Sequence, residues 1–202
     1  GLVALADSYA QKQEEILESV YSNDGTFVPA GNMLGKDWIA GYVALWFFLC
    51  HPVCRVITTS VKDDHLRVLW GEIGKFIQTS TLVQVKGKAG ILDSRNGGPL
   101  LINHRDIRKV KRDGTLCPIS YLRGMVSEKG EGLAGHHAPS TLVIGDEASG
   151  IDDVVYTQVS TWAGGGTFDG GVNRKRQMWI GNCNASNGFF FKAIKGGDLL
   201  AS

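Results

Sequence analysis

Hydrophobic positions along this chain switch between a period near 3.6 and short β-type runs, and their order predicts a mixed α/β domain. From Ala10 to Tyr21, Ile16, Leu17 and Val20 recur at helical spacing among Gln11, Lys12, Gln13, Glu14, Glu15 and Glu18, an amphipathic helix ended by Ser22-Asn-Asp-Gly25. Thr26 to Val28 reads as a short strand, Pro29 to Gly35 as a loop, and Lys36 onward as an apolar helix closed by His51-Pro52. The β-branched run Arg55 to Ser60 is the next strand. Asp63 and Asp64 then open a second amphipathic helix bearing Leu66, Val68, Leu69, Trp70 and Ile73. Strand, glycine loop, helix and strand in this order form a βαβ unit, for which a right-handed crossover is expected.

From Thr79 to Arg123 the pattern thins to short β-type runs, Leu82 to Val85, Leu100 to Ile102 and Ile119 to Leu122, between glycine-rich turns. Met125 to Pro139 is rich in glycine and charge and reads as a loop. It delivers the chain to Thr141-Leu-Val-Ile-Gly-Asp146-Glu147, an apolar run that stops abruptly at two adjacent carboxylates. Such a run predicts a buried parallel strand that brings both acids to the carboxyl edge of a sheet, where open α/β sheets bind ligands. Asp152 and Asp153 are placed to cap a helix from Val154 to Ser160, Trp162 to Gly171 is flexible by composition, and Gln177 to Gly181 is the last clear strand, ending at Asn182.

Composition narrows the reading. The 202 residues, 43% hydrophobic, suffice for one domain with a sizeable core. A formal charge of +1 leaves no global field towards nucleic acid or membrane, so any such contact is local. The densest basic segment, His104 to Arg112, reads first as a solvated hairpin or helix face and second as a nucleic-acid contact. Cys50, Cys54, Cys117 and Cys183 have no disulfide-framework spacing, which suggests a reducing, cytosolic setting. Cys50 and Cys54 are expected as buried small hydrophobes rather than half a zinc site. The run Trp38 to Cys50 falls short of the ~20 residues that span a bilayer, and no cleavable leader pattern opens the sequence, so no membrane partner is expected.

The candidate chemistry lies in two places. Ala30-Gly31-Asn32-Met33-Leu34-Gly35-Lys36-Asp37 approximates the phosphate loop G-x-x-x-x-G-K-[ST], with Ala30 at the first glycine place and Asp37 at the hydroxyl place. Backbone N–H groups at a helix start and a lysine ammonium attract phosphate oxygens, whereas Asp37 could take a Mg²⁺ ion but repels phosphate. Asp146 and Glu147 supply the complement, one acid to hold Mg²⁺ and one to orient a water. Two such acids at a strand's end would cost several kcal/mol if buried and unpaired, so a site is favoured over an exposed helix cap. Asn182, at the end of the following strand, suits a polar sensor of the γ-phosphate.

These residues resemble a known family. Ala30 to Gly41, Leu45-Trp46, His51-Pro52, Leu69 to Ile73, Glu131 to Pro139, Val143 to Ile151 and Ile180 to Phe190 are similar to the ATPase domain of the large terminase subunit of tailed bacteriophages, from about Tyr9 to Phe191. The resemblance implies a P-loop NTPase of the RecA-like kind, with a mainly parallel sheet flanked by helices, spanning 1–202 as one domain. ATP and Mg²⁺ are the implied cofactors. Gly31, Gly35 and Lys36 match the phosphate loop (Walker A), Asp146 the metal-holding acid (Walker B), Glu147 the residue activating water, Asn182 the coupling motif, and Gln13 the adenine-reading glutamine. Asn32 and Ala134 stand where relatives often have arginine, which leaves Arg123, Arg67 and Arg174 to Arg176 as candidate arginine fingers. The implied partners are the double-stranded DNA phosphate backbone, the portal protein and the small terminase subunit. A ring homo-oligomer in the cytoplasm of an infected or lysogenic bacterium would pump DNA into a procapsid. The family's nuclease half has no counterpart here, so this stretch is expected to pump or bind rather than cut. Two alternatives stand beside this reading: another DNA-stimulated ATPase such as a helicase core, and a nucleotide-binding or assembly module with a compromised loop.

Overall fold

A computed structural model describes residues 2–31, 34–81, 89–126, 133, 135, 136, 138–163 and 174–196. Helix α1 (Leu2–Ser22) leads into β1 (Gly25–Pro29), α2 (Lys36–Cys50), β2 (Cys54–Ser60) and α3 (Asp63–Thr79). An antiparallel excursion follows, made of β3 (Leu100–Asn103), β4 (Asp106–Val110) and the long β5 (Leu116–Val126). The chain then forms β6 (Ser140–Asp146), α4 (Asp153–Ala163), β7 (Arg174–Gly181) and α5 (Gly188–Ile194). One seven-stranded sheet results, in the order β1-β7-β6-β2-β5-β4-β3. Strands β1, β7, β6, β2 and β5 run parallel, so their carboxyl ends share one edge.

Pleating sorts the apolar residues of the central strands onto two faces. Val56, Leu142, Ile144, Met178 and Ile180 join the core with α1, α2 and α3, whereas Ile57, Val143 and Trp179 join the core with α4 and α5. The second core is aromatic: Tyr156 stacks on Phe189 with centroids 4.5 Å apart, and Trp179 meets both rings edge-on. Strand β6 is buried throughout, as an apolar run in the middle of a parallel sheet should be. Helix α2 buries Ile39, Ala40, Val43, Ala44, Phe47 and Phe48 and leaves Trp38, Tyr42 and Leu49 exposed, so it is covered on most sides but not all.

Several sequence expectations need correction. Strands β1 and β2 share a sheet as the βαβ reading requires, but β7 and β6 sit between them. Of the two forms expected for the basic run His104 to Arg112, the hairpin stands and the helix does not: the run turns at His104–Arg105 and continues as β4, paired antiparallel with β3 and β5. Its charges survive there because they answer one another: Asp106 accepts from Arg108 Nε at 2.7 Å and from Arg123 Nη2 at 2.6 Å. Helix α1 begins well before Ala10, β7 begins at Arg174, and α5 has no counterpart among the elements the hydropathy pattern predicts. Cys54 is buried as expected but Cys50 is exposed, because α2 turns its last residue away from the core. Asp152 caps α4 through the Val154 N–H at 2.9 Å, whereas Asp153 accepts the Phe189 N–H at 2.7 Å and so ties α4 to α5. The expected strand Leu82 to Val85 lies outside the described residues, as does most of the flexible stretch Trp162 to Gly171.

Candidate functional site

Two local backbone features bring the candidate chemistry together. Gly35 takes a left-handed conformation (φ 69°) as the N-cap of α2, which turns the loop after β1 so that Lys36 opens the helix. At the end of β6 the chain turns through Glu147, also left-handed (φ 51°), a conformation that costs a non-glycine residue about 1–2 kcal/mol. The lysine and the two acids, 111 residues apart in sequence at Lys36 and Glu147, thereby meet at the carboxyl edge of the sheet. Lys36 Nζ donates to Glu147 Oε1 and lies 3.9 Å from Asp146 Oδ1.

Strand β7 closes the other side. Ala30 N–H donates to the Gly181 carbonyl at 3.0 Å, which ties the start of the phosphate-loop candidate to the end of β7. A Cβ on Gly181 would lie 2.7 Å from the Ala148 nitrogen and 3.2 Å from the Glu147 backbone. Only glycine lets β7 pass this close, and Asn182 follows directly at the same edge.

The charge balance is unusual for a buried cluster. Asp146 is 1% exposed, and neither of its oxygens has a hydrogen-bond partner among the described residues. Burial pushes its carboxyl up to about 6, the negative charge of Asp37 adds to the rise, and Lys36 opposes it. Asp37 is raised as well, first by burial, with Lys36 opposing and Glu147 adding. Three carboxylates therefore share one ammonium, and the site is short of positive charge. Ser60, at the end of the neighbouring strand β2, adds a fully buried hydroxyl oxygen that has no partner among the described residues. It lies two residues beyond Thr58, which is opposite Ile144, so the pleat puts Ser60 on the same face as Asp146.

This chemistry fits a Mg²⁺ ion. Such an ion takes one or two carboxylates and completes its shell with water and phosphate oxygens, and an unpaired buried carboxylate beside a buried hydroxyl supplies that kind of donor set. No group of three or more His, Cys, Asp or Glu gathers as a protein-only metal cage among the described residues.

The other expected site residues fall on both sides of this cluster. Gln13, Ala30, Leu34 and Lys36 line a cleft of about 140 Å³ with Ile16 and Ile180, apolar enough to receive a flat ring. Gly31 begins the loop beside Leu34, while Asn32 and Met33 lie outside the described residues. The candidate arginines are elsewhere. Arg67 pairs with Asp63 and Asp64 on α3, and Arg123 with Asp106. Arg174 and Arg176 sit at the start of β7, at the amino edge of the sheet, opposite the cluster. One neighbour escapes the sequence patterns: His65, in the first turn of α3, places Nδ1 3.7 Å from Glu147 Oε1. Nothing local in the sequence marks that approach, which depends on how α3 returns across the sheet edge.

No family model matches this sequence, and no curated protein matches it. Among solved structures, the fold is similar to the crystal structure of the HK97 bacteriophage large terminase, with a TM-score of 0.53 and 11% sequence identity. The match covers 87% of this chain and 33% of that one. At this identity the likeness is one of fold: a seven-stranded mixed sheet flanked by helices, corresponding to about a third of a phage large terminase.

Proposed function

We propose that this chain is the ATPase domain of a viral DNA-packaging terminase, hydrolysing ATP at the Lys36–Asp146–Glu147 cluster. The observation that carries the reading is the convergence of a lysine at a helix start with two strand-end carboxylates, one of them buried with neither oxygen hydrogen-bonded among the described residues. Fold likeness to a phage large terminase adds to it.

In this reading the adenine ring enters the cleft beside Gln13, and Lys36 with the N–H groups at the start of α2 cradles the β- and γ-phosphates. To do so Lys36 exchanges its bond to Glu147 for phosphate oxygens. The freed Glu147 carboxylate orients a water in line with the γ-phosphorus and takes its proton as the new P–O bond forms and the bond to ADP breaks. Asp146 would hold Mg²⁺, with the Ser60 hydroxyl and Asp37 within the same cluster; the ion, when bound, neutralises charge on the phosphates. In the same reading Asn182, one residue beyond the glycine that touches the Glu147 turn, senses loss of the γ-phosphate.

The reading carries with it the wider setting that the sequence resemblance implies: double-stranded DNA held by its phosphates, a portal protein, a small terminase subunit, and a ring of copies in the cytoplasm of an infected bacterium. No described helix is long and apolar enough to cross a membrane. Asp37 favours one second reading, a module that binds nucleotide without turning it over, because a third carboxylate beside Lys36 weakens its hold on phosphate.

Steady-state ATP hydrolysis with Mg²⁺, with and without duplex DNA, tests the proposal on the native chain beside Glu147→Ala. The variant should lose about 10²–10⁴ of the rate while still binding nucleotide. A native rate that survives Glu147→Ala would refute the assignment, and nucleotide binding with no hydrolysis in either would favour the second reading.

A further inference from the structure

A second concentration of chemistry lies away from the cluster, on the sheet face that carries α4 and α5. These helices pack chiefly over β7, β1 and the turn after β6, and Ile57 of β2 and Tyr121 of β5 join their core at its margin. Across those three strands the pairing register aligns Arg55 of β2, Tyr121 of β5 and Arg108 of β4 in one row, with Ile57, Arg123 and Asp106 in the next row on the same face. All three guanidinium groups gather on one ring: Arg55 and Arg108 lie 5.2 Å, and Arg123 4.7 Å, from the Tyr121 centroid.

The ring itself is buried, and its hydroxyl bonds to His136 Nδ1, so it serves as a platform and not as a contact surface. Each arginine remains part-exposed. One carboxylate, Asp106, answers both Arg108 and Arg123. Among the described residues Arg55 has no acid partner; it donates to the Ile119 and Gly135 carbonyls at 3.3 and 3.2 Å. Beyond Arg108 the cationic line continues into the exposed turn at Lys111 and Arg112, where Asp113 is occupied by the Thr115 N–H and hydroxyl.

A structural network would pair each cation with an acid. Among the described residues this face instead sets three guanidiniums against one carboxylate: Arg108 binds Asp106 through Nε and Nη2, Arg123 through Nη2, and Arg55 is held by backbone carbonyls, in a chain of net charge +1. The three guanidiniums form one compact cluster, and with Lys111 and Arg112 exposed at the end of the same strand they offer more cations than one small anion takes, which favours a ligand with repeating oxyanions. We propose that Arg55, Arg108 and Arg123, stacked on Tyr121, form a landing site for the phosphodiester backbone of a nucleic acid. The proposal extends the terminase reading by giving DNA a place on this chain. Because its test reads binding and not hydrolysis, either can fail alone.

The experiment titrates a fluorescent duplex of about 30 bp with the full chain, without nucleotide, from about 50 to 200 mM salt. It compares the native protein with Arg55→Gln/Arg108→Gln, with Arg55→Lys/Arg108→Lys, and with Lys12→Gln on α1 as a distant control. Each phosphate that goes unneutralised flattens the slope of log K against log salt by about 0.9, so the Gln pair should reduce the slope by about 2, equally for unrelated sequences. The Lys pair should keep the slope, since point charges still displace counterions, and Lys12→Gln should behave as native. Far-UV circular dichroism checks the fold; if the Gln pair unfolds, retention of slope by the Lys pair decides. No duplex binding by the native chain, or an unchanged slope in a folded Gln pair, overturns the proposal. So does competition by a polyglutamate peptide as effective, per charge, as DNA, which would assign the face to an acidic protein partner.

Discussion

Asp146→Asn isolates the cost of holding a carboxylate in the sheet edge. Burial, aided by Asp37 and opposed by Lys36, raises this carboxyl from 3.8 to about 6. The folded state thus binds the proton more tightly than the unfolded chain, and stability falls as pH rises from about 4 through about 6, then stays at the lower level. At about 1.4 kcal/mol per pH unit, and with the unfolded carboxyl already more than half ionised at pH 4, the gap corresponds to about 2 kcal/mol lost between pH 4 and pH 7.5. An amide has no proton to lose there, so the variant lacks this contribution. Its unpaired N–H groups cost about 1–3 kcal/mol at every pH, which makes the change with pH, and not the offset, the quantity to compare. Urea unfolding in EDTA, at half-unit steps from pH 4 to 8, measures it. Between those limits the native chain should lose about 2 kcal/mol relative to the variant, or roughly 4–8 °C in Tm. Parallel stability profiles for the two proteins would refute the argument, since Asp146 would then titrate as an ordinary carboxylate.

Two other substitutions probe the same edge. Asp37→Thr removes one of three carboxylates around Lys36 and supplies a hydroxyl; at an effective dielectric near 20 this is worth about 2 kcal/mol, so calorimetry should find ATP with Mg²⁺ bound about 30-fold more tightly, and unchanged affinity would mean that the native loop accommodates the acid. Gly181→Ala sets a Cβ against the Ala148 nitrogen, and the forced separation of β7 from the Glu147 turn should cost about 1–3 kcal/mol in urea unfolding; a variant as stable as native would show that the turn yields freely.

What was legible in the sequence was what a short window contains. Strand β6 with its terminal acids and helix α2 with Lys36 at its head are continuous apolar runs bounded by polar residues, and both stand where the pattern put them. Strand β4 was legible only as one of two forms, hairpin or helix face, because what decides between them lies in its partners: Arg108 and Asp106 balance each other and Arg123 across the ribbon, which no local hydropathy registers. Helix α5 is too short for periodicity, and its anchor is Asp153, far back in the chain. The place of Arg174 to Arg176 needed strand direction, for only the parallel pairing of β7 with β6 puts them at the edge opposite the carboxylates. The approach of His65 to Glu147 likewise depends on tertiary geometry.

The pairing of β1 with β7 alone sets the order in which this edge can be completed. During synthesis, Gly25–Pro29 leaves the ribosome about 150 residues before β7, its one strand partner among the described residues, so the strand before Lys36 lacks its neighbour while β2, β5 and β6 can already associate. A nascent chain halted before Arg174 would contain both the lysine and its two acids, yet Gly25–Pro29 would still lack the neighbour that seats it. Closure of this edge is therefore a late, long-range event, completed only when the last strand arrives.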